Sequence, residues 1–147
     1  MPRDLEAITG DLNTLRAEDF DDRRSPMTGP ERLSALCDEV LLLPNPPSAF
    51  PQLFRLMERL SESELGTPGP LVHTMEKHIG AYEDLLAESI SRKPTDLSIW
   101  MVNRILNGKT IEREKWKALL ASASVHPLAS DVVRREAQRF LEIQKRK

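Results

Sequence analysis

The chain has 147 residues, 39% hydrophobic and 30% charged, which suits an ordinary soluble protein long enough to bury one core. Its net charge of −2 gives no whole-chain case for nucleic acid or an anionic membrane, and its single cysteine, Cys37, excludes an internal disulfide. No apolar run approaches the roughly 20 residues that cross a bilayer, and the opening MPRDLEAITG lacks the apolar stretch of a secretory signal, so a cytoplasmic protein is expected.

Strand patterns are missing, while helical spacing recurs from end to end. Leu5, Ile8, Leu12 and Leu15 step by three and four along a short first helix. Residues 18–29 form a polar connection with four acids in five positions. Thr28-Gly-Pro-Glu31 has the spacing of a capping box, followed by a helix that buries Leu33, Leu36, Val40 and Leu41, with Cys37 as a small core residue. That helix stops before the PNPP run at 44–47. Ser48 is placed to cap the next helix, with Pro51 in its first turn and Leu53, Phe54, Met57 and Leu60 as its buried stripe.

After the loop 61–69, a helix from Pro70 to about Arg92 is expected, bent or broken near Gly80 and halted before Pro94. Thr95 or Asp96 caps the following helix, which is apolar almost all round and ends at Gly108 as its C′ residue. Thr110 caps a helix carrying Trp116, Leu119 and Leu120. Ser130 or Asp131 opens the last one, with Val133, Ala137, Phe140 and Leu141 inward and Lys145-Arg146-Lys147 at its negative end. First members of successive helix pairs begin near 30, 70 and 111, a period of about 40 residues. The expected fold is therefore all-α, a single domain over 1–147. It is either a HEAT-like solenoid of helical hairpins or a compact bundle of seven to eight helices.

Catalytic and metal-binding patterns fail on spacing. His73 and His78 are five residues apart and point about 140° from each other, unlike the paired histidines of a zinc helix. The six glycines form no phosphate-binding loop, and no serine or cysteine sits in a nucleophile elbow. A non-enzyme without metal or cofactor is expected.

Two constellations suit partner binding instead. Residues 1–70 hold 7 Arg, no Lys and 13 Asp/Glu, a net of −6, whereas residues 71–147 carry 14 Lys/Arg against 10 Asp/Glu, a net of +4. Within the acidic half, Glu18, Asp19, Asp21 and Asp22 surround Phe20, with Glu62 and Glu64 in the later loop; such a patch steers basic partners and weakens with salt. A solvated acidic linker is the simpler alternative. The second constellation is the stripe Asp96, Trp100, Asn103, Arg104 and Asn107, where Trp and Arg are common interface anchors. Its alternative is internal, with Trp100 in the core and Arg104 paired to a carboxylate such as Glu88.

The segment YEDLLAESISRKPTDLSIWMVNRILN (Tyr82–Asn107) resembles all-helical, HEAT-like immunity proteins of bacterial contact-dependent growth inhibition and related polymorphic toxin systems. The likeness rests on the Tyr82-Glu83 start, the Arg92-Lys93-Pro94-Thr95 turn and the Ile99-Trp100-Met101 and Asn103-Arg104-Ile105 runs. In addition, Pro127, Asp131, Val133, Arg134 and Ala137 resemble the proline, aspartate, valine-arginine and alanine pattern of a HEAT unit. The resemblance implies a small cytoplasmic antitoxin that binds and blocks a cognate toxin domain, often a basic nuclease, without itself binding nucleic acid or membrane. A generic HEAT-like scaffold with no toxin partner is the competing expectation.

Overall fold

The computed structural model describes residues 3–23 and 26–147, so Met1-Pro2 and, within the 18–29 connection, Arg24 and Ser25 lie outside the described residues. The fold is all-α. Among the described residues there are eight α-helices and no strand: α1 (Leu5–Thr14), α2 (Gly29–Leu41), α3 (Phe50–Arg59), α4 (Gly69–Glu76), α5 (Glu83–Arg92), α6 (Asp96–Asn107), α7 (Arg113–Ala123) and α8 (Asp131–Lys145). Two 3₁₀ turns, Ala17–Phe20 and Pro46–Ala49, precede α2 and α3. The chain divides into two compact units, residues 1–85 and residues 86–147.

In unit 1, α1 packs on α2 and α3, and α2 packs on α4. The threes and fours of α1 put Ile8, Leu12 and Leu15 in the interior, where they meet a core that includes Leu33, Val40, Phe50, Leu53, Phe54, Leu71 and Met75. Leu41 is only half-buried, because the helix ends there and turns its last apolar side chain toward the rim. Helices α1 and α2 run antiparallel. Arg32 near the start of α2 donates to Thr14 Oγ1 at the end of α1 (2.8 Å), while Arg3 before α1 forks onto Glu39 near the end of α2 (2.8 and 2.7 Å).

In unit 2, α6, α7 and α8 pack on one another. Gln144 Nε2 donates to Asn103 Oδ1 (2.7 Å) and Asn107 Oδ1 (2.8 Å), and Lys147 Nζ donates to Asn107 Oδ1 (2.5 Å). These bonds climb both helices together, so α6 and α8 run parallel, with α7 antiparallel between their connections. Of the two architectures compatible with the 40-residue period, the helices form bundles within each unit.

The helix ends show where local pattern was decisive. Thr95 Oγ1 accepts from Ser98 N (3.1 Å) while Ser98 Oγ accepts from Thr95 N (2.9 Å), a reciprocal cap that is buried on both sides. Ser130 Oγ accepts from Val133 N (3.1 Å) and starts α8. The capping box expected at Thr28 does not form: its backbone is already helical (φ −97°, ψ −15°), so its hydroxyl is not aimed at the first turn. Its neighbour Gly29 is held against the Asp19 carbonyl, where a Cβ would come within 2.6 Å of the oxygen. Ser48 likewise does not cap α3, because it lies inside the 3₁₀ turn and its hydroxyl donates to Asn45 O (2.7 Å). Thr110 Oγ1 accepts from Glu112 N (3.1 Å) one turn early, in the approach to α7. Gly108 ends α6 in an extended conformation (φ −91°, ψ −164°), not the left-handed one expected of a C′ glycine.

The expected break near Gly80 is complete. Gly80 has φ +98°, a conformation that favours glycine, and the Glu83 carboxylate accepts from Gly80 N (2.9 and 3.0 Å) and Tyr82 N (3.1 Å) to start α5. What reads as one long helix is therefore α4 and α5.

The two tryptophans differ. Trp116 is 2% exposed in the core of unit 2, whereas Trp100 is half-buried, with the Arg104 guanidinium 5.4 Å from its ring centroid. Trp116→Ala should cost about 3–5 kcal/mol in urea unfolding, and Trp100→Ala distinctly less. Equal losses would show that Trp100 packs as deeply as Trp116.

Cys37 is buried in unit 1 and hydrogen-bonded to Thr74, and burial pushes its thiol up to about 11. The unfolded thiol loses its proton near its ordinary value of 9.0 while the folded one keeps it, so the unfolded state gains stability as pH rises through this window. Folding stability should fall by about 2–3 kcal/mol between pH 9 and 11 through this group alone. The comparison is with Cys37→Ala, whose stability curve should lack that component over the same range.

Candidate functional site

The acidic segment is an ordered turn. Phe20 is 7% exposed and anchors it, the turn packs on α2, and the tight approach of Gly29 holds it there. Asp19 and Asp21 are held by arginines and backbone amides around the turn. Asp19 Oδ2 accepts from Arg16 N (2.9 Å) and pairs with Arg32 (3.4 Å). Asp21 accepts from Arg23 N (3.0 Å) and is gripped by the Arg23 guanidinium (3.0 and 3.1 Å). Glu18 and Asp22 are exposed. The linker alternative fails on this observation, since a solvated tether has no buried anchor.

Arg59 brings the second acidic stretch to the same end of unit 1. Its guanidinium donates to Leu15 O (2.6 Å) and Leu12 O (3.0 Å), satisfying carbonyls at the C-terminus of α1. The chain leaves α1 toward the acidic turn and leaves Arg59 toward Glu62 and Glu64, both exposed. Glu64 Oε1 accepts from Gly66 N (3.0 Å), which fixes part of that loop. Glu18, Asp19, Asp21, Asp22, Glu62 and Glu64 therefore share one end of unit 1, although some forty residues separate the two sets in sequence. Unit 1 as a whole carries 8 Lys/Arg and 16 Asp/Glu, a net of −8, against 13 and 7 in unit 2, a net of +6. The charge boundary coincides with the structural one.

The α6 stripe is divided between two roles. Asn103 and Asn107 give their amide oxygens to Gln144, which is fully buried, and Gln144 Oε1 accepts from Arg113 (3.3 Å). Arg113 also donates to Leu106 O (2.6 Å), closing the C-terminus of α6. These amides hold α6 to α8. Trp100 is half-buried beneath Arg104, whose side chain is exposed, the two forming a stacked pair. Sequence spacing gave Asn103, Arg104 and Asn107 as a shared face but carried no sign of their partner on α8, which lies about forty residues on.

A shallow groove of about 550 Å³ lies at the opposite end of unit 1, lined mainly by Leu5, Leu42, Leu43 and Pro44, with Leu42 64% exposed. The α7–α8 connection exposes Val125 and Leu128, and its shape is fixed by His126. Leu128 N donates to His126 Nδ1 (3.1 Å), so the ring proton sits on Nε2 and is donated to Ser91 O (2.9 Å). Among the described residues, no group of three or more His, Cys, Asp or Glu could hold a metal ion, and no helix is long and apolar enough to cross a membrane. Neither a family model, nor a curated protein, nor a solved structure matches this chain.

Gln144 is the residue on which the unit 2 polar network converges. Gln144→Ala removes the buried amide that bridges Asn103, Asn107 and Arg113; Asn107 keeps Lys147 and Arg113 keeps Leu106 O, so the part-buried Asn103 is the group left without its partner, at about 1–3 kcal/mol, in addition to the lost packing. The variant should lose about 2–4 kcal/mol in denaturant unfolding, more than Gln138→Ala on the exposed face of the same helix. Similar small losses from both would show that the network adds little.

Proposed function

We propose that this chain acts by binding and not by catalysis, as an immunity-type inhibitor that blocks a cognate toxin domain with a basic surface, such as a nuclease. The observation that carries the reading is the acidic end of unit 1, where two separate stretches present six carboxylates on a unit of net charge −8. The resemblance of Tyr82–Asn107 to helical immunity proteins supports the same reading.

The roles within that end are unequal. Asp19 and Asp21 shape the turn through Arg16, Arg23 and Arg32, whereas Glu18, Asp22 and Glu62 project from it. A carboxylate displayed on a fixed turn loses little freedom when a lysine or arginine reaches it, which favours tight pairing. A basic nuclease must itself bind phosphates, so an acidic surface of this kind competes for the same cations.

The test is co-expression with the C-terminal domain encoded by a neighbouring toxin gene, followed by affinity measurement. Asp22→Lys combined with Glu62→Lys should leave the melting temperature unchanged, weaken binding by at least about tenfold and abolish protection, since facing charges of like sign cost several kcal/mol. The wild-type affinity should fall as salt is raised. Complex formation with full protection by the double variant would remove the acidic end from the interface. No complex with any neighbouring gene product would favour a scaffold role.

A further inference from the structure

The acidic end of unit 1 leaves the positive charge of unit 2 unexplained. Four of the seven carboxylates in unit 2 are held by a cation on their own helix: Glu112 by Lys115 (3.1 Å), Glu114 by Lys117 (3.5 Å), Asp131 by Arg134 and Glu136 by Arg139 (2.5 Å). The Arg139 and Arg134 guanidinium groups hold Glu136 and Asp131 below the usual carboxylate range. Of the nine cations outside those pairs, five lie together, the others being Arg92, Lys93, Arg113 and Arg135. Because α6 and α8 run parallel, both end on the same side of the unit, and the Lys147–Asn107 bond ties those ends together (2.5 Å). Arg104 and Lys109 come from the α6 side, and Lys145, Arg146 and Lys147 from the α8 side. All five are exposed, and among the described residues Lys109, Lys145 and Arg146 enter no ion pair. Glu142, the remaining carboxylate on α8, accepts from Gln138 (3.1 Å) on the outer face.

Cations at a helix C-terminus complement the helix dipole, and that effect is equivalent to about half a charge per helix. Two helix ends therefore account for roughly one of the five charges. One of the five, Arg104 in the last turn of α6, lies on the half-buried Trp100, with its guanidinium 5.4 Å from the ring centroid. A stacked guanidinium offers a flat face to a base.

We infer that the shared C-terminal end of α6 and α8 binds single-stranded nucleic acid, with Lys109, Lys145, Arg146 and Lys147 on successive phosphates and the Arg104–Trp100 pair under a base. An overall charge of −2 argues against such binding for the chain as an average, but unit 2 carries a net +6 and five of its thirteen cations lie at this one end. This inference is independent of the toxin reading, which concerns unit 1.

The experiment is fluorescence anisotropy of the full chain with a fluorescein-labelled 20-nucleotide oligo-dT, in a salt series. Binding should weaken with salt with a log–log slope of about −2 to −3, from roughly 0.7 per phosphate neutralised on a single strand. Lys109→Gln, Lys145→Gln and Arg146→Gln together should reduce affinity by at least about tenfold and flatten the slope by about 2, while circular dichroism and melting temperature stay unchanged. Trp100→Phe should weaken binding several-fold without changing the slope, because it removes stacking and not charge. Absence of binding at 50 mM salt, or wild-type affinity in the triple glutamine variant, would overturn the inference. So would equal competition by polyglutamate of the same charge, which would assign the patch to acidic proteins. Preference for a duplex of the same length would overturn the single-strand assignment.

Discussion

The structure depends on satisfying helix ends. Eight α-helices of 8–15 residues have many termini for their length, and each C-terminus leaves several carbonyls without an intrahelical donor. Arginine meets this need at two points. Arg59 on α3 donates to the last carbonyls of α1, and Arg113 on α7 to Leu106 at the end of α6. In both cases the donor comes from outside the helix that it closes, and Arg134 on α8 does the same for a loop carbonyl, His126 O in the α7–α8 connection (3.0 Å). A guanidinium suits this task because its planar fork can bond two acceptors at once while its alkyl stem packs on apolar neighbours.

These closures fix the charged ends of the units as well as the helices. Arg59 places the 61–64 stretch beside the acidic turn, and Arg113 joins Gln144 in setting the α6–α8 register. The first contact brings two acidic stretches to one end of unit 1, among Arg16, Arg23 and Arg32. The second gathers positive charge at one end of unit 2. The acidic run at 18–22 and the basic run at 145–147 are plain in sequence, but their joining to members about forty residues away depends on single side chains. The Arg3–Glu39–Asp11 cluster uses the same device at the other end of unit 1, with Arg3 pushing the Glu39 carboxyl below its ordinary range.

Apolar periodicity was legible because it depends only on neighbours in the chain. The stripes of α1, α3 and α8 and the caps at Thr95 and Ser130 follow directly from residue spacing. Thr28 and Ser48 have the same local credentials as Thr95, yet their backbones are committed elsewhere, one by the fit of Gly29 against Asp19 and the other by the prolines at 46–47. Asn103 and Asn107 illustrate the same limit for the candidate site. Their common face was readable from a helical wheel, but whether that face meets solvent or another helix depends on Gln144, which no local pattern links to them. Arg104, one position round the same helix, stays on the outer surface. A stripe read from spacing is thus a statement about direction, and only tertiary packing decides what lies in that direction.

The separation of charge between the units constrains any mechanism. In a chain of net charge −2 a uniform mixture would leave each half nearly neutral, whereas here the units carry −8 and +6. Intrahelical pairs such as Glu136–Arg139 neutralise charge locally and give each helix a modest gain. They leave the excess at the ends, where loops meet solvent. At physiological salt, exposed charges act over roughly 8 Å, so each end is felt by a partner only in near contact. For the proposed basic partner, the acidic end of unit 1 would attract and the basic end of unit 2 would repel, which would select orientation during the encounter. Selection of this kind needs carboxylates that stay where they are displayed. The buried anchor at Phe20, the Asp19–Arg32 pair and the Arg59 closure supply that fixity, which is why residues that carry no exposed charge decide where the charge can act.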